Sequence, residues 1–303
     1  MRTIIECVPN ISEGRDAARV GEIADAVRAV AGVRLLDVSS DTSHNRSVLT
    51  LVGDAAAIRA AVLALFEAAV PRIDLRTHRG EHPRMGAVDV VPFIPLRGAS
   101  VEECVALSRE VGAEVAGKFG IPVYLYEDSA SAENRRNLAD IRKGQFEGFA
   151  AKMQDPAWKP DFGPSEPHPS AGVVAIGARP FLIAYNVNLG TSDLAIADRI
   201  ARAIRHLSGG FRYCKAMGVS LADRGIVQVS INMTNFRKTP LHRVFECVKS
   251  EAERHGVAIV GSEIVGMTPA DALYAAAEHY LRLERFTPDM VIETKLLEED
   301  SDL

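Results

Sequence analysis

The sequence predicts an α/β (α+β) protein of two related βαββα-type subdomains, each a mixed sheet backed by helices, and three observations carry that expectation. Short apolar runs of strand length alternate with segments whose apolar residues recur every three or four positions. The order strand, helix, strand, strand, helix over residues 1–70 returns after residue 180. Between the two runs lies 154–172, which holds Pro156, Pro160, Pro164, Pro167 and Pro169. A chain of 303 residues has length for two such units at about 150 residues per domain. The expected division is 1–178 and 179–303, with two sheets facing each other across a cleft and the helices outside.

The elements follow in order. TIIECV (3–8) reads as a short strand, and Val20, Ile23, Val27 and Val30 mark one face of a helix that Gly32 ends. RLLDV (34–38) and SVLTLV (47–52) are strands, and Ile58, Val62, Leu65 and Phe66 mark the next helix. Residues 71–86 lose all periodicity before the strand AVDVVPFI. Ser100 and Glu103 form a capping box that opens a helix to about Lys118. VYLY (123–126) is a strand, and short helical pieces run on to about 150. In the second half FLIAYNV is a strand, and Leu194, Ala197, Ala201 and Ile204 give a helix. RYCKAMGV and GIVQVSINM can pair, Thr239–Pro240 opens a helix to about His255, and VAIVG is a closing strand. Thr268, Pro269 and Asp271 start one more helix. A local echo supports the repeat: Val8-Pro9-Asn10-Ile11 ends the first strand, and Val187-Asn188-Leu189 ends the later one.

Composition narrows the function. Lys and Arg number 35 against 40 Asp and Glu, a net charge of −5 that argues against a nucleic-acid partner. No apolar run reaches the ~18 residues of a membrane span, and the N-terminus lacks the apolar stretch of a secretory signal. Cys7, Cys104, Cys214 and Cys247 lie far apart, a poor pattern for zinc or disulfides. The expectation is a cytoplasmic protein without membrane partners.

RTHRGEHPRMGAVD (76–89) is the densest candidate for chemistry. His78-Arg79-Gly80-Glu81-His82 has the H-x-x-E-H spacing of a zinc peptidase class. That spacing needs a helix, and Gly80 inside it and Pro83 after it oppose one. No metal is therefore expected. A general acid/base histidine among anion-binding arginines is the alternative, because the imidazole titrates near neutral pH and Arg79 or Arg84 can grip carboxylates. A solvated charged loop is the plain reading.

DTSHNRS (41–47) reads first as a hairpin turn. Its functional version has Arg46 binding an anion with polar help from Asp41 or His44. In ECVPNISEGRD (6–16), Asn10 can present its amide at a strand end, while Ser12 reads as a helix cap. GPSEPHPSAGVVAIGAR (163–179) is either a linker or a shaped binding loop in which Gly172 and Gly177 let backbone approach a flat ligand. His206, His242, His255 and His279 each stand alone on predicted helices and read as surface or structural residues.

Taken together, ECVPNISEGRD, LLDV, NRSV, HRGEHPRMGAVDVVPFIPLRG, IPVYLYED, DFGPS and GARPFLIAYNVNL resemble the formiminotransferase family over about residues 4–275. The HRGEHPRMGA run is long enough that chance agreement is negligible. The resemblance implies two α/β subdomains with folate held between facing sheets, a homodimer, and transfer of the formimino group from N-formimino-L-glutamate to tetrahydrofolate. Animal members are fused to a cyclodeaminase, so the 303-residue chain is expected to work beside a separate one.

The family's catalytic histidine falls on His82, and its folate loop falls on 163–172, carrying Gly163, Pro164 and Gly172 over, with Lys215 as a further folate contact. The two anionic substrates are assigned to Asn10, Asp41, His44, Arg46, Arg84 and Arg179. Two positions depart from the family pattern. Ser39 stands where an aspartate assists the histidine, with Asp41 two positions off, and His168 has no counterpart. The same scaffold would also suit 5-formyltetrahydrofolate as donor, or a non-catalytic folate-binding module.

Overall fold

In the computed structural model, which describes residues 3–299 with side chains as far as 296, the opening strand is interrupted once. β1 (Ile4–Cys7) and β2 (Asn10–Ile11) are separated by Val8–Pro9, and proline has no N–H to give the ladder. Both segments pair antiparallel with β4 (Arg46–Gly53), Cys7 opposite Leu51 and Asn10 opposite Val48, so register survives the break. β5 (Val88–Arg97) pairs on the other side, with Cys7 opposite Phe93 and Asn10 opposite Val90. β3 (Arg34–Asp41) takes the outer edge of β4.

α1 (Ala17–Arg28) links the first strand to β3, and α2 (Ala55–Ala69) links β4 to β5. This is the split β-α-β-β-α-β plan, one closing strand longer than the predicted βαββα. α3 (Val101–Phe119) follows, opened by the expected Ser100–Glu103 capping box and closed at Gly120. β6 (Val123–Glu127) and β7 (Val174–Ala178) then extend the sheet in parallel beyond β5, giving seven strands.

The chain divides after Arg179 into two units. The second has β8 (Ile183–Leu189), α6 (Leu194–Ile204), β9 (Cys214–Leu221), β10 (Ile226–Met233), α7 (Leu241–Arg254) and β11 (Ile259–Val265). Its antiparallel order β11-β8-β10-β9 repeats β5-β1-β4-β3 of the first unit. The echoing asparagines thus hold equivalent strands: Asn10 lies opposite Val48 and Asn188 opposite Gln228. α8 (Ala270–Leu281) and α9 (Ile292–Glu299) complete the described chain.

Alternation along the strands sorts the side chains. Ile5, Cys7 and Ile11 pack with Ile23, Val27, Ile58, Val62, Phe66, Leu107 and Val111 under α1–α3. On the other face α4 (Leu138–Arg142) and α5 (Gln145–Lys152) cover only the β7–β6 end, where Ile141, Phe149 and Met153 pack on Val90, Tyr124, Tyr126 and Ala175. Glu6, Asn10 and Arg46 emerge on that second face beside the covered end. In the second unit Val187, Val229 and Ile231 pack with Ile200, Val244 and Val248. Its opposite face carries Asn186, Asn188, Gln228 and Glu263, where Gln228 Nε2 donates to Asn188 Oδ1 and Glu263 Oε1, both at 2.8 Å.

Four sequence readings need correction. Val174–Ala178 is not a loop but a buried parallel strand, which shows no alternation because both its faces are covered. Residues 154–172 are not a linker: Val123 N donates to Phe162 O, and the Asp161 carboxylate holds Arg135 at 2.6 Å and the Leu125 amide at 2.8 Å. Asp16, not Ser12, caps α1, since Ser12 Oγ donates instead to Gly86 O at 2.7 Å. His242 and His279 are not alone, because their rings stack at 4.3 Å between α7 and α8.

Candidate active site

Three loops of the first unit converge beyond the second face of its sheet: residues 8–16, the turn 42–45 between β3 and β4, and 77–86. Gly80 lies so close to the turn that a Cβ there would strike His44 O. Asn45, left-handed at φ 49, accepts Gly14 N and donates to Arg79 O, each at 3.0 Å. Glu81 N reaches Ser43 O at 3.2 Å. Residues 77–86 therefore have no helix, in keeping with Gly80 and Pro83, and are pinned to the hairpin.

His78 is buried, with Nε2 at 2.8 Å from Asn45 O and Nδ1 accepting Arg84 Nε at 3.2 Å. That pairing fixes a neutral ring with the proton on Nε2, so His78 is a structural residue. Arg84, expected to meet a substrate carboxylate, is instead paired within the protein. It is 7% exposed, and its fork already grips both oxygens of Glu147, at 2.6 and 2.8 Å. The guanidinium holds the Glu147 carboxyl down near 2.

His82 has the opposite character. Its Nδ1 is buried and makes no hydrogen bond within the described residues. Burial, then the charges of Arg46 and Arg142, hold its pKa down to about 4, against an opposing pull from Asp89. The ring is thus neutral at pH 7 and free to accept a proton. His44 stands edge-on to it at 5.8 Å. Asp41 binds His44 through its amide at 2.8 Å and Nδ1 at 3.0 Å, so it acts on His44 rather than on His82. Arg46 donates to Asn10 Oδ1 while its buried Nε has no partner, and burial lowers its own pKa to about 10. Asn10 thus presents its amide to Arg46 instead of to open space.

The remaining assigned residues lie elsewhere. Arg179 bears on the Glu6 carboxyl and hydrogen-bonds Tyr126. Gly163 and Pro164 are exposed. Gly172, at φ 69, and Gly177 do not clear room for a flat ligand, because a Cβ on them would strike Met85 O and Tyr126 O. His168, which had no counterpart, caps the turn before β7: its Nδ1 accepts Ala171 N at 3.0 Å and Ser170 N at 3.3 Å. Lys215 is exposed on β9 of the second unit, and Ser39 is exposed on β3. Cys214, next to Lys215, faces the second core.

Sequence reasoning missed Glu6, Asp89 and Arg142. Glu6 and Asp89 did carry a signal, each being a lone carboxylate inside an apolar strand run. Arg142 carried none, for it stands on a short helix far along the chain from its partner Asp89.

Among the described residues no cluster of His, Cys, Asp and Glu is spaced to hold a metal ion, and no helix is long and apolar enough to cross a membrane. A neutral histidine beside two guanidiniums, on a split β-α-β-β-α-β sheet, is suited to moving a proton next to an anion, as acid/base group transfer requires.

Comparison with known proteins gives the family. The N-terminal subdomain of the formiminotransferase domain matches residues 4–179, and the formiminotransferase domain matches 184–297, so the chain belongs to the formiminotransferase family. It is 50% identical over 298 residues to glutamate formimidoyltransferase of Streptococcus pyogenes serotype M1, covering 98% of this chain and 100% of that protein. The protein of the same name from Thermoplasma acidophilum is 48% identical over 97% of each chain. Formimidoyltransferase-cyclodeaminase of Gallus gallus is 41% identical over 94% of this chain, which spans 54% of that longer protein.

Proposed function

We propose that the protein is a glutamate formimidoyltransferase, moving the formimino group of N-formimino-L-glutamate to N5 of tetrahydrofolate. End-to-end likeness to two proteins of that name supports the reaction class. The observation that carries the mechanism is His82, neutral at pH 7, with a buried orphan nitrogen beside two cationic side chains.

N5 attacks the formimino carbon, forming the new C–N bond, and its proton passes to His82. The resulting tetrahedral carbon expels the glutamate nitrogen, which takes the proton back from His82 and leaves as an amine. The products are 5-formiminotetrahydrofolate and glutamate. No covalent enzyme intermediate and no metal enters these steps. Arg46, held to Asn10, receives a donor carboxylate, and the Asp41–His44 pair borders the ring of His82. Tetrahydrofolate is the co-substrate, with Gly163, Pro164, Gly172 and Lys215 as its family-derived contacts. Gly172 serves there through the shape of the loop, since its own Cα is packed on Met85. A cytoplasmic homodimer completes the reading.

Incubation with tetrahydrofolate and formiminoglutamate should release glutamate and form the 5-formimino product, with the rate unchanged after exhaustive chelation. Absence of glutamate release, with turnover of 5-formyltetrahydrofolate instead, would replace this donor assignment with the formyl one. Folate binding without turnover of either donor would leave a binding module.

A further inference from the structure

Arg142 ends α4, and its Nε and Nη2 contact Asp89 Oδ2 at 2.8 and 2.6 Å. Asp89 is 2% exposed. Its other oxygen accepts the amides of Met85 at 2.6 Å and Gly86 at 3.2 Å, in the loop that carries His82. One carboxylate thereby fixes a cation and the backbone of the histidine loop together. The pair uses the Nε–Nη2 edge of Arg142 and leaves Nη1 outside it.

Arg46 is placed differently, with no ion pair among the described residues, only Asn10 on its fork and an orphan buried Nε. Asn10, which holds Arg46, lies opposite Val90, the neighbour of the Asp89 that holds Arg142. Both guanidiniums thus stand beside one stretch of β5, and the charge of Arg142 disfavours that of Arg46. Asp89 offsets only part of that repulsion, and a second anion at the N–H donors it leaves outside would offset more. The donor brings two carboxylates.

We propose that Arg46 and Arg142 together seat one carboxylate of the formimino donor, with Asp89 as the residue that positions Arg142. This rests on the reaction given above and adds Arg142 and Asp89 to it. In this seat Arg142 has the role expected above of Arg84, whose fork is taken by Glu147.

The seat has a consequence for His82. The charged and titratable groups around that ring are Arg46, Arg142, His44 and Asp89, with Asp41 behind His44. A carboxylate between the guanidiniums cancels part of their field, so the proton affinity of His82 rises as the donor binds. The base strengthens when there is a proton to take. The acid limb of kcat, which reports the bound enzyme, should therefore lie at higher pH than the acid limb of kcat/KM for the donor.

Steady-state kinetics with each substrate varied, from acid to neutral pH, test this on the 303-residue chain. Arg142→Gln should raise the donor KM roughly 10–100-fold, the loss of one charge-assisted contact, with tetrahydrofolate KM little changed. It should also move the acid limb of kcat/KM upward, because a cation beside His82 is gone. Arg142→Lys keeps the charge, so the limb should stay while the donor KM still rises; this arm stands alone if the Gln variant does not fold. Asp89→Asn should raise the donor KM in the same direction. Equal rises in both KM values, or an unmoved acid limb in folded Arg142→Gln, would overturn the seat. Those results count against it only where the parent enzyme turns over formiminoglutamate; an inactive parent would overturn the reaction instead.

Discussion

Replacing Glu6 by Gln should change the pH dependence of stability in a direction the fold dictates. Glu6 is 5% exposed, its Oε2 has no hydrogen-bond partner, and burial raises its pKa from 4.5 to about 7 despite Arg179 nearby. In the unfolded chain the same carboxyl ionises near its ordinary value. Between about pH 4.5 and 7 the folded state therefore holds a proton that the unfolded state has lost, and stability falls as pH rises. The full displacement corresponds to roughly 3 kcal/mol, reached above pH 7 and absent below pH 4. Glu6→Gln removes this dependence. The amide itself adds a buried donor at a cost of about 1–3 kcal/mol, but that cost does not vary with pH. The measurement is thus the difference between parent and variant melting temperatures at pH 8 compared with pH 5. The balance should shift toward the variant at pH 8, by roughly 2–4 °C for each kcal/mol in a unit of this size. A parent-to-variant difference equal at the two pH values would refute the buried, protonated carboxyl.

Other perturbations separate catalysis from scaffold. His82→Ala should lower kcat by about 10²–10⁴ while tetrahydrofolate still binds by calorimetry, and near-parental turnover would remove His82 from the mechanism. Arg84→Lys should lower the melting temperature through loss of the two-point grip on Glu147, about 1–3 kcal/mol, and leave the donor KM in place. A large KM effect with unchanged stability would return Arg84 to the substrate. Gly172→Ala should destabilise by roughly 1–3 kcal/mol from its left-handed backbone alone, and more from the contact with Met85 O, read by denaturant melts.

Periodicity made most of the fold legible, because a helix such as α1 or a hairpin such as β3–β4 advertises its buried face within a few residues. β7 stayed hidden: a five-residue parallel strand covered on both sides and containing Gly177 looks like any apolar stretch after a loop. At the site, His82 and Arg46 stood out through residue type and the family resemblance. The roles of Arg84 and Arg142 did not. Both are arginines in polar surroundings, and what separates them is which carboxylate each meets, Glu147 or Asp89, more than fifty positions away in each case. Local spacing says nothing of such partners.

The anchoring of residues 77–86 bears on how turnover is organised. Glu81 N is bound to the hairpin, His78 and Arg84 lock each other, and the Met85 and Gly86 amides end on the Asp89 carboxylate. A segment tied at that many points is not a lid awaiting substrate. The entropy of ordering it is lost once, when the chain folds, rather than at every catalytic cycle. The hydrogen-bonded amides of Glu81, Met85 and Gly86 should accordingly exchange more slowly than those of an untethered loop.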